Sequence, residues 1–197
     1  NARAGTRATL AVISEGQGGG YYVCEWCGWA DAATKGAWPK RHEKPQSGNE
    51  CTGPLERLTL GHRYQSDVAE FTFKGFQYQD AHESNWLSTL YAMLEGASVA
   101  LEISRDDIHG ALAWTSDNRR SIVLFDTVPG GAGAAKQIAE SIDLVVRAAI
   151  DRVAQCDCGP ETSCYGCLRS YRNASVHDQL SRTGALALLE PLGLNGI

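Results

Sequence analysis

Four cysteines lie in one short stretch: Cys156, Cys158, Cys164 and Cys167, in the order C-x-C-x5-C-x2-C. Thiols this close can cross-link, share a cation or stay free, and sharing a cation is the favoured reading. The loops between them are short, so bringing them together costs little chain entropy. Gly159 and Pro160 turn the chain between the pairs, and Gly166 lies inside the second pair, where tight turns aim successive sulfurs at one point. The pattern predicts a tetrahedral Zn²⁺ site. Four protein donors leave no open position for a substrate, so the site reads as scaffold, not chemistry. Disulfides are the competing reading. The seven cysteines are an odd number, which would leave one unpaired in an oxidised protein. No signal peptide is visible, and apolar runs such as Ser121 to Val128 are too short to span a bilayer. A reducing cytoplasm is therefore expected, where clustered cysteines bind metal. The C-x-C start does not match the common ferredoxin spacings.

A second group lies upstream. Cys24-Glu25-Trp26-Cys27-Gly28 has the form of a knuckle, with His42 and Cys51 following. Cys24, Cys27, His42 and Cys51 predict a Cys₃His site of zinc-ribbon type, with His62 a competing fourth ligand. A lone C-x-x-C can instead be redox-active or inert. The segment from Asp31 to Pro54 is polar and rich in Lys, Gly and Pro. That suits a loop ordered by a metal, and without one it would be long for a compact domain.

The chain has 197 residues, 43% hydrophobic and 21% charged, with a net charge of −5. This is an ordinary globular composition. The acidic balance is not that of a free-standing nucleic-acid binder, so any such contact must rest on local patches. Residues 1–9 read as the interior of a longer protein, which predicts a C-terminal fragment. Two parts are expected: residues 1–60 as a hairpin and zinc-ribbon-like segment, and residues 61–197 as a core with the four-cysteine knuckle.

Local patterning predicts the elements. Leu10 to Ile13 is a strand, and the glycine-rich turn before Tyr21-Tyr22-Val23 makes a hairpin that delivers the first knuckle. Val68 to Phe73 alternates as a half-buried strand. Trp86, Leu87, Leu90, Tyr91, Leu94 and Ala97 recur at helical spacing to about Leu101, with Ser84 or Asn85 as N-cap. Ala111–Trp114 and Ser121–Phe125 flank a turn containing Asp117-Asn118. Ile138, Ile142, Val145, Val146, Ala149 and Val153 mark one long amphipathic helix, and a last helix covers Gly184 to Leu189. The sum is an α+β fold, a mainly antiparallel sheet packed by two main helices, with zinc-bound cysteine loops.

Other residues carry two readings each. Gly130, Gly131 and Gly133 sit in a strand-to-helix loop that could hold a phosphate or simply turn tightly. The loop is neither a Walker A nor a G-x-G-x-x-G motif. Arg169, Tyr171 and Arg172 follow the last cysteine, with Arg182 farther on. They could contact a phosphate backbone and stack on an unpaired base, or brace the knuckle. Asp67, Glu70, Asp106, Asp107 and Asp126 are carboxylates for a Mg²⁺-dependent nuclease, though no spacing singles out a pair. His177-Asp178 reads as a local turn contact.

Taken together, Phe125-Asp126-Thr127-Val128-Pro129-Gly130-Gly131-Ala132-Gly133, the helix after it, and the run from Cys156 to Asn173 resemble the MrfA zinc-binding (MZB) domain. That family is the former domain of unknown function at the C-terminus of DEAD/DEAH-box helicases, and a related domain occurs in the DrmB protein of the DISARM anti-phage system. Gly61 to Val68 also resembles a family segment. The resemblance covers about Tyr22 to Leu189. It implies that Cys156, Cys158, Cys164 and Cys167 hold zinc, and that helicase motor domains, in cis or in a complex, are the partner. ATP hydrolysis is expected in that motor, since these residues contain no Walker A or D-E-x-H box. Relatives carry a His after the G-G-x-G where this chain has Ala134, so no role for that His carries over. The expectation is an accessory domain of a superfamily 2 helicase or a helicase-like defence protein, docking on the motor or helping to position DNA, without catalysis of its own and without a membrane. A metal-dependent nuclease and a pure protein-interaction module are the alternatives.

Overall fold

The computed structural model describes residues 2–15, 18–33, 39, 41–75, 78 and 81–195. The chain divides into two units, one of residues 1–8 and 65–197, the other of residues 9–64. The elements are β1 (Ala2–Ser14), β2 (Tyr21–Cys24), β3 (Ala30–Ala32), β4 (His42–Glu43), β5 (Glu50–Cys51), β6 (Leu55–Leu58) and β7 (Leu60–Thr72). They continue with α1 (Glu83–Leu101), β8 (Ile108–Trp114), β9 (Arg120–Asp126), α2 (Ala134–Glu140), α3 (Ile142–Ala154), a 3₁₀ helix (Tyr171–Gln179) and α4 (Arg182–Asn195).

The larger unit is built on a four-stranded sheet in the order β1-β7-β9-β8. Its pairings β7–β9 and β8–β9 are antiparallel, with Phe71 opposite Ile122 and Trp114 opposite Arg120. Period-two alternation puts Ile122, Leu124 and Asp126 of β9 and Ala69 and Phe71 of β7 in the interior. Against them lies α1, buried along Trp86, Leu90, Met93, Leu94 and Ala97, which also packs on α3 and α4. The expected α+β class and antiparallel sheet are both present. Among the described residues no helix is long and apolar enough to cross a membrane.

Among the described residues, the smaller unit contributes none to the large apolar core. It consists of the three-stranded sheet β3-β2-β6, the two-residue ladder β4-β5, and the parts of β1 and β7 that fall within residues 9–64.

Three elements depart from their expected extents. The long helix is two, because Ser141 takes φ −119° and ψ 29° between α2 and α3. Its N–H still reaches the carbonyls of Gln137 and Ile138, so the chain bends without losing a donor. Helix α1 starts at Glu83 after an extended His82, ahead of the expected Ser84 or Asn85 cap. The last helix, α4, reaches from Arg182 to Asn195 rather than from Gly184 to Leu189.

Helices α1 and α3 approach most closely at Gly96. A Cβ there would lie 2.5 Å from the Val145 carbonyl oxygen and 2.8 Å from the Ala149 Cβ, so the contact is backbone on backbone. In an exposed helix Gly→Ala stabilises by about 1 kcal/mol. Here overpacking dominates, and Gly96→Ala should instead cost about 1–3 kcal/mol, measured by urea unfolding. An unchanged or raised midpoint would show that the helices can separate freely.

Candidate metal centres

Two hairpins build the first centre. Strands β2 and β3 pair with Val23 opposite Ala30, and between them the knuckle turns at Gly28, φ +71°. The Gly28 N–H bonds to the Cys24 carbonyl at 3.0 Å and the Cys24 N–H to the Trp29 carbonyl at 2.8 Å. Strands β4 and β5 set His42 directly opposite Cys51. The donor atoms of Cys24, Cys27, His42 and Cys51 all lie within 4.8 Å of one another. Cys24 and Cys51 sulfurs are 3.9 Å apart, and Cys27 Sγ is 3.2 Å from His42 Nε2. Trp29 stacks on the His42 ring at 4.8 Å, which holds its orientation. His62 is outside this group; it is exposed on β7 and stacks on Tyr64 at 5.7 Å. Gly53 is required here, since a Cβ would lie 2.7 Å from Cys24 Sγ.

The second centre closes the end of α3. Cys156, Cys158, Cys164 and Cys167 have their sulfurs within 4.8 Å of one another. Pairs stand at 3.5 Å (Cys156–Cys164), 3.7 Å (Cys158–Cys167) and 3.9 Å (Cys164–Cys167). A disulfide needs about 2.05 Å, whereas the edge of a ZnS₄ tetrahedron with bonds of about 2.3 Å is about 3.8 Å. The sulfurs accept backbone N–H donors, Gly166 to Cys164 and Cys164 to Cys167, both at 3.2 Å. Such donors stabilise thiolates. All seven cysteines are free of disulfides, and all seven belong to the two donor groups.

The thiols split in proton affinity. The Cys158 N–H brings the Cys156 thiol down to about 7, while burial pushes Cys158 up to about 12. At the first centre burial raises the Cys24 thiol, but N–H donors from Cys27 and Trp26 outweigh it and bring it to about 7. Burial raises Cys27 and Cys167. Without a metal, each cluster therefore keeps protons at neutral pH.

The match to known proteins falls on the second centre. Residues 89–168 match the family model of the MrfA Zn-binding domain, MZB. Those residues are similar to that domain family. They run from within α1 through Cys167 and leave the upstream centre outside. The Druantia protein DruE of Escherichia coli (strain UMEA 4076-1) is 26% identical over 205 residues, covering 89% of this chain and 11% of DruE. The crystal structure of the DUF1998 helicase MrfA bound to DNA matches with a TM-score of 0.52 at 15% identity, over 96% of this chain and 25% of that one. That likeness is one of fold. The chain thus spans about a tenth of DruE and a quarter of MrfA.

Around the four-cysteine cluster the neighbouring residues make bracing contacts. Arg169 Nε donates to Ser163 Oγ at 2.9 Å, and Arg172 pairs with Asp106 at 2.9 Å. Asn173, fully buried, donates to the Leu168 carbonyl and accepts from the Ser170 N–H. His177 meets Ser170 and Asn173, the expected local contact. Arg182 donates to the Val153 and Ala154 carbonyls at 2.7 and 2.8 Å, capping the C-terminus of α3. Tyr171 differs, with 91% of its surface open.

One network lacked any signal in the sequence. Glu95 of α1 accepts from Arg105 at 3.0 Å and from Arg152 of α3 at 3.1 Å. Arg152 also reaches the Cys167 carbonyl at 3.4 Å. The three residues come from separate segments, so no spacing connects them.

The glycine loop after β9 is occupied internally. Asp126, fully buried at the end of β9, accepts the N–H groups of Ala132, Ala134 and Ala135. The Gly130 and Gly131 N–H groups go to the Gln65 and Val128 carbonyls, and the Gly131 backbone lies directly on Asp67. The amides that would cradle a phosphate already hold a carboxylate, whose charge would also repel one. That internal engagement weighs against the phosphate contact expected at Gly130, Gly131 and Gly133. It also removes Asp126 from a nuclease-type Mg²⁺ site, since both its oxygens are engaged. An Asp at a strand end, before a glycine loop and a helix start, is the signal that could have indicated this cap.

Asp126→Asn would turn an amide donor toward other donors and should cost about 1–3 kcal/mol or more, read by denaturation. A fully stable variant would show that the cap contributes nothing. Because bound metal must displace thiol protons, affinity for Zn²⁺ should rise by about tenfold or more per pH unit between pH 6 and 8, measured by chelator competition. A flat profile would contradict the protonated clusters.

Proposed function

We propose that this chain is a two-zinc, helicase-associated accessory domain that docks on superfamily 2 motor domains and helps engage DNA. The observation that carries the reading is the pair of four-donor groups, each with donor spacings that fit tetrahedral zinc. Cys156, Cys158, Cys164 and Cys167 would hold one ion, and Cys24, Cys27, His42 and Cys51 the other. With no free coordination position, zinc would supply cross-linking and folding free energy, not reactivity. The match of residues 89–168 to the MrfA Zn-binding domain supports zinc as the metal. Association with a helicase and with DNA is supported by the fold shared with the MrfA helicase bound to DNA. A cytoplasmic setting suits seven thiols without a disulfide. A role in DNA repair or in anti-phage defence belongs to the same proposal and rests on the likeness to the MrfA helicase and to the Druantia protein DruE.

The knuckle residues in this reading are scaffold first. Arg169 and Arg172 hold the cysteine loop in place, and Tyr171 remains open for contact with DNA or with the motor.

Elemental analysis should find two zinc ions per chain. Cys164→Ala should lose one of them, lower the melting temperature and reduce soluble yield. His42→Ala should weaken the other ion, whereas His62→Ala should leave both in place. A Cys164→Ala protein with full zinc and normal melting would refute the scaffold assignment.

A further inference from the structure

Away from both centres, the β8–β9 hairpin borders a cavity of about 580 Å³, within the range of small-ligand sites. We propose that this cavity binds an unpaired nucleotide of a single-stranded nucleic acid. The proposal rests on the DNA-engagement part of the reading above and places that contact at a specific site.

The argument starts from Trp114, the last residue of β8, which is 59% exposed. More than half of this large residue's surface is thus open to solvent. One of its faces is already covered: the Arg120 guanidinium lies 4.4 Å from the ring centroid. Arg120 is itself held by Glu83 at 3.0 Å, with its side chain only 16% exposed. The ring is thus fixed by a cation on one side, and its exposed surface is available to stack a base.

The hairpin tip is ordered as well. The Thr115 N–H bonds to the Arg119 carbonyl, and Asn118 adopts a left-handed conformation, φ 57°. The platform therefore exists before any ligand arrives, which limits the ordering cost of binding. Behind it, Phe73, Tyr78 and Trp86 form an aromatic cluster with centroids 5.2–6.3 Å apart, and all three line the cavity. An apolar and aromatic floor suits a flat heterocycle.

The rim supplies charge for a phosphate. Lys74, Arg119 and Arg120 line the cavity. Asp117 is engaged by Arg119 at 2.6 Å and Glu83 by Arg120. Lys74 is exposed and makes no ion pair among the described residues. Three cations against two carboxylates leave a local positive balance in a chain of net charge −5, as a local nucleic-acid patch requires. Base-paired DNA hides its base faces, so the stacking surface selects unpaired strands.

The test uses the zinc-loaded 197-residue chain and fluorescence anisotropy of a short labelled oligodeoxythymidylate. Oligouridylate and a blunt duplex of equal length serve as parallel probes. Single strands should bind, and the duplex should bind about tenfold more weakly or worse. Trp114→Ala should weaken single-strand binding by about tenfold or more, Trp114→Phe should restore most of it, and Lys74→Glu should weaken it and flatten its salt dependence. Preference for oligouridylate would support the pocket and identify RNA as the source of the nucleotide. No binding by the parent chain, equal binding of duplex, or Trp114→Ala binding like the parent overturns the proposal. Zinc content and melting are read on every variant, so the pocket can fail while the zinc scaffold stands.

Discussion

Sulfur atoms 3.5–3.9 Å apart cannot all carry charge unless a cation lies among them. This constraint organises the part of the chain around the four-cysteine cluster. Helix α3 ends where Cys156 and Cys158 must turn inward. The loop that follows is clasped by the start of α4, with Arg182 and Thr183 N–H groups on the Thr162 and Pro160 carbonyls. Leu168, directly after the last cysteine, is fully buried, so the cluster and the apolar core share a boundary. Loss of the cluster would therefore free the end of one core helix and the beginning of another.

The same chemistry recurs without sulfur. Asp126 is a buried carboxylate surrounded by three backbone donors, and Ser66 Oγ donates to its carbonyl at 2.7 Å. A charge in the interior is tolerated when its hydrogen-bonding capacity is filled. In both places acidic groups are met by donors from nearby backbone.

Local features were legible in the sequence, and non-local ones were not. The C-x-C-x5-C-x2-C spacing determines a cluster by itself, because its donors cannot move far apart. The alternation in Val68–Phe73 and the helical spacing from Trp86 identified the sheet and α1 for the same reason. The choice between His42 and His62 depended on hairpin register, which sets His42 across from Cys51 and lies beyond composition or spacing. The glycines of the loop were readable as a turn, but their partner was not, since Asp126 reaches forward over eight and nine residues to Ala134 and Ala135. The bend at Ser141 has neither Pro nor Gly to announce it. The partners of Arg169 and Arg172, Ser163 and Asp106, come from outside the local run, the latter from a distant segment.

Helices that meet through side chains can slide by small rotamer changes. At Gly96, α1 meets α3 through backbone atoms, and the neighbouring Glu95 grips Arg152 one side chain away from the Cys167 carbonyl. That leaves no compliant layer between the two helices. A push delivered to α1, by a motor domain or by a bound strand, would reach the cysteine end of α3 as rigid-body movement, with little lost to side-chain rearrangement. The pair would then act as a lever, with the four-cysteine loop at its tip.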